Sequence, residues 1–218
     1  MKSVYMDMGE TLVSFKPRYH YPVYLKLRQM GFQVTERNVF RAISKQLGAR
    51  HFPDQDGLSK IDFRELMVSL GLVPREEVVR EMEKLNLLSN SFELFPDSID
   101  FLKHVKSLGA KVIMVTNATS SFNRIVKSLG LEAFLDGIVA SCEVGVMKPH
   151  PRIFRKAIEV GGEGVFIGDI YEVDYLGATR AGLTPILIDR ENFYDDISAT
   201  KVRDLLEAKN LVEEMLKE

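Results

Sequence analysis

Tryptophan is absent from these 218 residues, and cysteine occurs once, at Cys142. A single thiol excludes an internal disulfide and fits a reducing compartment. No catalytic partner stands near it in sequence, so Cys142 reads as a structural thiol. No apolar run approaches the roughly 20 residues of a membrane-spanning helix, so no membrane partner is expected. Charge of one sign is scarce as well: 29 Lys and Arg against 31 Asp and Glu leave a formal net charge of -2. Nucleic-acid proteins usually carry a basic excess or stripe, so no nucleic-acid partner is expected. The first residues hold one lysine and a strand-like run rather than a signal peptide, and the expectation is a cytoplasmic protein. Glutamine is scarce while Lys and Glu are plentiful, a balance that leans towards heat adaptation.

What the chain does have is apolar content, 45% of residues, enough for one large domain or a core with a smaller insert. Lys2–Met6 reads as a strand, and Thr11–Phe15 as a short extended or turn segment broken by Lys16-Pro17. From 17 to 90 the pattern is helical. Helices are expected over Tyr21–Met30, Thr35–Leu47, Asp62–Leu70 and Pro74–Leu85, with apolar residues three and four apart and a loop at His51–Gly57. Beyond 91, helices and short apolar strands alternate. The strands are Lys111–Val115, Gly137–Ala140, Gly164–Ile167 and Thr184–Ile188. Between and around them lie helices from Asp97, from Ser120 or Ser121, over His150–Val160 and over Asp174–Ala181. The amphipathic tail Ser198–Glu218 is expected to pack on its own domain.

Repeated β–α–β units with fully apolar strands imply a parallel sheet covered on both faces. The expected fold is therefore α/β, a three-layer Rossmann-like core formed by 1–16 and 91–218, with an all-helical cap at 17–90. Ligands of such sheets sit beyond the carboxyl ends of the strands. There the sequence places Asp7, followed by Gly9 and Thr11; then Thr116-Asn117; then Lys148-Pro149; then Gly168-Asp169 with Asp174. A carboxylate exposed at a strand end can attack phosphorus. A threonine hydroxyl and backbone N–H groups can hold phosphate oxygens, and a lysine can balance carboxylate and phosphate together. Asp169 and Asp174, five apart across a turn, offer two hard oxygen ligands, with a third from the first strand, which suits Mg²⁺. Taken singly, each has a structural explanation: a helix cap, a turn, a solvated lysine.

Taken together and in this order, the motifs resemble the haloacid dehalogenase superfamily, in the branch with a helical cap inserted after the first motif. The resemblance rests on Asp7-Met8-Gly9-Glu10-Thr11-Leu12, Val115-Thr116-Asn117, Lys148-Pro149-His150-Pro151-Arg152-Ile153-Phe154, and Gly168-Asp169 with Asp174, and Ser141-Cys142-Glu143-Val144-Gly145 fits it too. It covers nearly all of the chain. It implies Asp7 as nucleophile, and Thr116 and Lys148 as catalytic and phosphate-binding. Backbone N–H groups at Met8, Gly9 and Asn117 are implied to assist them. It also implies Mg²⁺ held by Asp7, the Gly9 carbonyl and Asp169, with Asp174 either a further ligand or just behind the ligands. The partner would be a small phosphorylated metabolite, and the protein a monomer or homodimer.

One position departs from that pattern. Phosphatases of this kind usually carry a second Asp two residues after the nucleophile as general acid and base; here it is Gly9. General acid–base help is worth roughly 10²–10⁴-fold. Turnover is then slow or confined to good leaving groups such as anomeric or acyl phosphates, unless Glu10 turns inward or a cap residue substitutes. His150 stands where an Asp is common and is expected to be peripheral. Three readings follow: an Mg²⁺-dependent phosphatase, a catalytically weak protein binding a phosphorylated ligand or partner, and a 2-haloacid dehalogenase. The paired acids Asp169 and Asp174 argue against the last, which needs no metal. A phosphomutase would need the general acid even more. Tyr19, His20, Tyr21, Arg41 and Arg50 are candidate cap residues at the site.

Overall fold

The computed structural model describes residues 2–217. β1 (Ser3–Met6) lies in the middle of a six-stranded parallel sheet, while β2 (Val13–Lys16) and β3 (Ser91–Leu94) form a separate antiparallel ribbon. The other sheet strands are β4 (Lys111–Thr116), β5 (Gly137–Ala140), β6 (Gly164–Gly168), β7 (Thr184–Ile188) and β8 (Lys201–Val202). Their order across the sheet is β5-β4-β1-β6-β7-β8. The helices are α1 (Tyr21–Gln29), α2 (Glu36–Ala49), α3 (Phe63–Ser69), α4 (Glu76–Glu83), α5 (Ser98–Ser107), α6 (Phe122–Ser128), α7 (Ser141–Val144), α8 (Pro151–Gly161), α9 (Leu176–Arg180) and α10 (Leu205–Lys217).

Successive side chains of a strand point to opposite faces, and both faces of this sheet are apolar. Val4 and Met6 join Val112, Met114, Val165 and Ile167 beneath α5 and α10, through Phe101, Leu102, Leu205 and Val212. Tyr5 joins Ile113, Val115 and Phe166 on the other face, beneath α8 through Ile153 and Phe154 and α9 through Ala178. This is the three-layer α/β, Rossmann-like core expected from the apolar strands. Residues 21–83 contain α1–α4 with a core of their own, including Val23, Leu27, Ile43, Leu66, Met67 and Met82. Thr35 caps α2 by accepting the Asn38 N–H, and Asp62 caps α3 by accepting those of Arg64 and Glu65.

Several local expectations change. β3 was not legible, because its four residues alternate only between half-buried and exposed and owe their shape to pairing with β2. α4 starts at Glu76, so Pro74 lies ahead of the helix rather than in its first turn. Neither Asp97 nor Ser121 caps its helix through the side chain. Asp97 instead accepts from Arg190 and from the Leu205 N–H, tying the end of β7 to α10. The Ser120 N–H is taken by Asp56, which comes from the loop between α2 and α3. The tail packs on the core through Leu205, Ala208 and Val212, but Leu206 faces outward at 55% exposure. It also contributes β8, too short to show a pattern. Among the described residues, no helix is long and apolar enough to cross a membrane.

Candidate active site

Three sheet neighbours deliver the site. Met6 pairs with Met114 on one side and Ile167 on the other. Asp7 therefore comes level with Val115 and Gly168, one residue before Thr116 and Asp169, and Asp7, Thr116 and Asp169 all lie at the carboxyl edge of the sheet. Asp7, Asp169 and Asp174 are all buried there, each offering a carboxylate oxygen within 4.8 Å of the others. Lys148 reaches the same point from the loop between α7 and α8 and is 2% exposed. Its ammonium lies 2.6 Å from Asp7 Oδ1 and 2.7 Å from Asp174 Oδ1.

The backbone explains why these side chains converge. A π-helical turn, Tyr171–Tyr175, precedes α9 where the sequence suggests a plain helix from Asp174. Such turns are rare and recur at functional sites. This one folds Asp174 back, so that its Oδ2 accepts the Ile170 N–H at 3.0 Å. Gly168 makes room for it: a Cβ there would stand 2.4 Å from the Asp174 carboxyl carbon. Lys148 is gripped at its main chain by Asn117, whose Oδ1 accepts the Lys148 N–H at 2.7 Å while its amide donates to the Lys148 carbonyl at 2.9 Å. The Asn117 side chain is thus spent on positioning the lysine. Thr116 is buried at the end of β4, and Met8 packs its side chain into the core. The Gly9 carbonyl accepts no hydrogen bond among the described residues.

Burial dominates the electrostatics. It pushes the Asp7 carboxyl up to about 6, against the pull of Lys148, with Asp174 adding to the rise. Burial also raises Asp169 well above the usual carboxylate range, with Arg18 opposing. For Lys148, burial works against the ammonium, but Asp174 and Asp7 outweigh it and hold its pKa above the ordinary lysine value.

Arg18 carries no pattern in the sequence, yet it reaches the acids from the segment after β2. It donates to Asp169 Oδ2 at 3.2 Å and lies 3.4 Å from Glu10 Oε2. Glu10 itself turns inward, in a left-handed conformation with φ of 53°, and its Oε1 accepts the Phe15 N–H at 2.9 Å. One oxygen thus accepts a backbone donor while the other is ion-paired with Arg18. Four carboxylates (Asp7, Glu10, Asp169, Asp174) share two cations (Lys148, Arg18), a formal excess of two negative charges. An all-oxygen donor set with two excess negative charges fits Mg²⁺.

The helical residues close over this edge. A cavity of about 10 Å³, room for about one water, remains between Glu10, Arg18, Asp169, Phe40, Arg190 and Phe193. Of the other candidates, Arg41 packs over Tyr194 with its guanidinium 4.5 Å from the ring centre. Tyr19 packs against Phe40 and His20. His20 is buried with its Nε2 3.0 Å from Glu36 Oε1. Tyr21 is 39% exposed, and Arg50 pairs with Glu65 within the helical region. His150 accepts the Arg152 N–H and caps α8.

The sequence profile of the haloacid dehalogenase-like hydrolases matches residues 1–182. A glyceraldehyde 3-phosphate phosphatase of Methanothermobacter thermautotrophicus is 28% identical over 206 residues, covering 88% of this chain and 87% of that protein. A phosphoserine phosphatase of Thermus thermophilus is 30% identical over 154 residues, covering 66% of this chain and 61% of that protein. The fold is shared with a putative HAD-hydrolase of Bacillus subtilis, whose structure was determined with magnesium bound. The TM-score is 0.63 at 18% identity, covering 97% of this chain and 98% of the other.

Proposed function

This chain belongs to the haloacid dehalogenase-like hydrolase family, and on that footing we propose that it is an Mg²⁺-dependent phosphatase of a small phosphorylated metabolite, working through an aspartyl-phosphate on Asp7. The observation that carries this reading is the meeting of Asp7, Asp169 and Asp174 around the Lys148 ammonium at the edge of the sheet. Relatives named as phosphatases of glyceraldehyde 3-phosphate and phosphoserine support the hydrolysis of phosphate monoesters.

Asp7 is the nucleophile: a carboxylate oxygen forms a bond to phosphorus as the bond from phosphorus to the leaving oxygen breaks. Lys148 fixes the carboxylate at Oδ1 and balances phosphoryl charge. Asn117 holds Lys148 in that position. Thr116 and the N–H groups of Met8, Gly9 and Asn117 receive the phosphoryl oxygens. Asp7, the Gly9 carbonyl, Asp169 and Asp174 would hold Mg²⁺, which when bound supplies positive charge to the transferring group. Residues 17–90 act as a lid that excludes water and selects substrate, and the docked loop His51–Gly57 is part of its closed position. Water then cleaves the aspartyl-phosphate and regenerates Asp7.

The test is phosphate release from p-nitrophenyl phosphate and a panel of sugar and acyl phosphates, with Mg²⁺, with EDTA, and in Asp7→Asn. Release that needs Mg²⁺ and vanishes in the variant is expected. A folded protein that binds Mg²⁺ but releases nothing from any substrate would move the reading to a phosphoryl-ligand binding protein, for which Gly9 is the supporting observation.

A further inference from the structure

Gly9 is the one glycine of fifteen that the fold does not require. Eight others have positive φ. At five of the remaining six a Cβ would stand less than 3.0 Å from a neighbour, as at Gly168 and Gly164, and at Gly137 it would press on the Val160 side chain at 3.0 Å. At Gly9 the backbone is not left-handed, and a Cβ would meet only the Phe15 ring, at 3.6 Å, an ordinary contact. Neither turn geometry nor packing accounts for the missing side chain. Its absence is a property of the site, two residues from the nucleophile.

The groups around that gap are already committed. Lys148 is ion-paired twice, and the Asn117 side chain is bound at both ends. Glu10 Oε1 accepts the Phe15 N–H, and its Oε2 is ion-paired with Arg18 at 3.4 Å. Asp169 is paired with Arg18, and Asp174 with Lys148 and the Ile170 N–H. The donors left without a partner in the segments around the gap are the Thr11 and Tyr19 hydroxyls and Arg18 Nε. All are far weaker acids than a carboxyl, and burial pushes the Tyr19 hydroxyl up further, so none replaces the carboxylic acid that Gly9 lacks.

From this we infer that the site selects phosphate esters and anhydrides by leaving group, and that its substrate class is one whose leaving oxygen departs as a stable anion, an acyl or anomeric phosphate rather than an alkyl phosphate. The inference rests on the phosphatase reading. In the first step the bond from Asp7 oxygen to phosphorus forms. The bond from phosphorus to the leaving oxygen breaks, and that oxygen leaves with the electron pair, as a carboxylate in the acyl case. In the second step water attacks phosphorus, the aspartyl oxygen departs as the regenerated carboxylate, and the water's proton passes to solvent.

The experiment is kcat/KM with Mg²⁺ for acetyl phosphate, a series of aryl phosphates of graded phenol pKa, and glycerol phosphate, in the natural chain and in Gly9→Asp. Expected in the natural chain are turnover of acetyl phosphate, a steep fall with rising phenol pKa, and glycerol phosphate slowest. Gly9→Asp should raise the ratio of kcat/KM for glycerol phosphate to that for acetyl phosphate by roughly 10²–10⁴-fold. The slope in the natural chain needs no variant, so a poorly folded Gly9→Asp does not remove the test. A slope near zero, with glycerol phosphate as fast as acetyl phosphate, overturns the inference while leaving the phosphatase reading intact. A shallow slope that Glu10→Gln or Tyr19→Phe steepens assigns the proton to that side chain and overturns it too. No release from any of these compounds, in protein that binds Mg²⁺, overturns the phosphatase reading itself.

Discussion

The hydroxyl of Tyr194 donates a 2.7 Å hydrogen bond to Glu172 Oε2, inside the turn Tyr171–Tyr175 that folds Asp174 back towards Asp169. The Arg41 guanidinium of α2 lies over the Tyr194 ring and reaches Asp196 at 2.7 Å. Gly48 of α2 sits so close that a Cβ would stand 2.7 Å from that of Glu172. The helical region thus grips the acidic turn directly. Removing one such hydrogen bond costs about 0.5–1.5 kcal/mol. Tyr194→Phe is therefore expected to weaken Mg²⁺ binding, measured by calorimetry without substrate, by about 2–10-fold. A lower melting temperature with unchanged Mg²⁺ affinity would leave Tyr194 a packing residue only.

Burial makes the acid cluster costly, and the cost has a sign in pH. The Asp7 carboxyl is pushed up from 3.8 to about 6 in the folded protein, so between those values the native state holds more protons than the unfolded state. Stability attributable to Asp7 is then present below about 4 and lost as pH rises through about 6. In EDTA, the stability of the natural chain relative to Asp7→Asn should fall between pH 4 and 8, by on the order of 2 kcal/mol. Urea titrations at both ends of that range measure it, and parallel curves would contradict it.

Divalent cation should reverse that cost. Ligand binding to the folded state alone stabilises by about 2.7 kcal/mol at a hundredfold excess over Kd. Mg²⁺ is expected to raise the melting temperature of the natural chain and to leave Asp169→Asn unmoved. An equal rise in both would place the ion elsewhere.

Asn117 joins Lys148 at both its N–H and its carbonyl. Two hydrogen bonds of about 1 kcal/mol each limit the expected loss in Asn117→Ala to about 30-fold in kcat, with KM less affected. An unchanged kcat would show that Lys148 keeps its place without the clamp.

Gly57 has φ of 75°, and a Cβ would stand 2.1 Å from the Ala118 carbonyl oxygen. Its own carbonyl accepts from Ser141 Oγ at 2.5 Å. Gly57→Ala should undock the loop His51–Gly57 at a cost of about 1–3 kcal/mol and expose it to limited proteolysis. Resistance equal to that of the natural chain would argue against docking through Gly57.

Legibility followed range. The two-sided apolar strands announced a covered parallel sheet, because a face is apolar whatever it packs against. The helices of 21–83 were legible from periodicity and from local caps at Thr35 and Asp62. Asp97 misled because a cap-like residue is free to find a distant partner, here Arg190, and Ser121 because its hydroxyl bonds to the neighbouring Thr119 hydroxyl instead of the helix end. Arg18 was invisible for the same reason: its partner Asp169 is 151 residues away. Tyr194 and Glu172 are tied together only because β7 lies beside β6.

By itself, then, the sequence determined the sheet, the order of its strand-end polar residues and the absence of a side chain at Gly9, since each depends on residue identity and local periodicity. The tertiary structure decided which charges meet. Only folding brings Lys148 within 2.7 Å of both Asp7 and Asp174 and turns Glu10 back onto Arg18. Only folding, too, shows that Gly9 has room for the side chain it lacks. The reason is that ion pairing and steric room depend on distance in space, which hydrophobic burial sets for the chain as a whole.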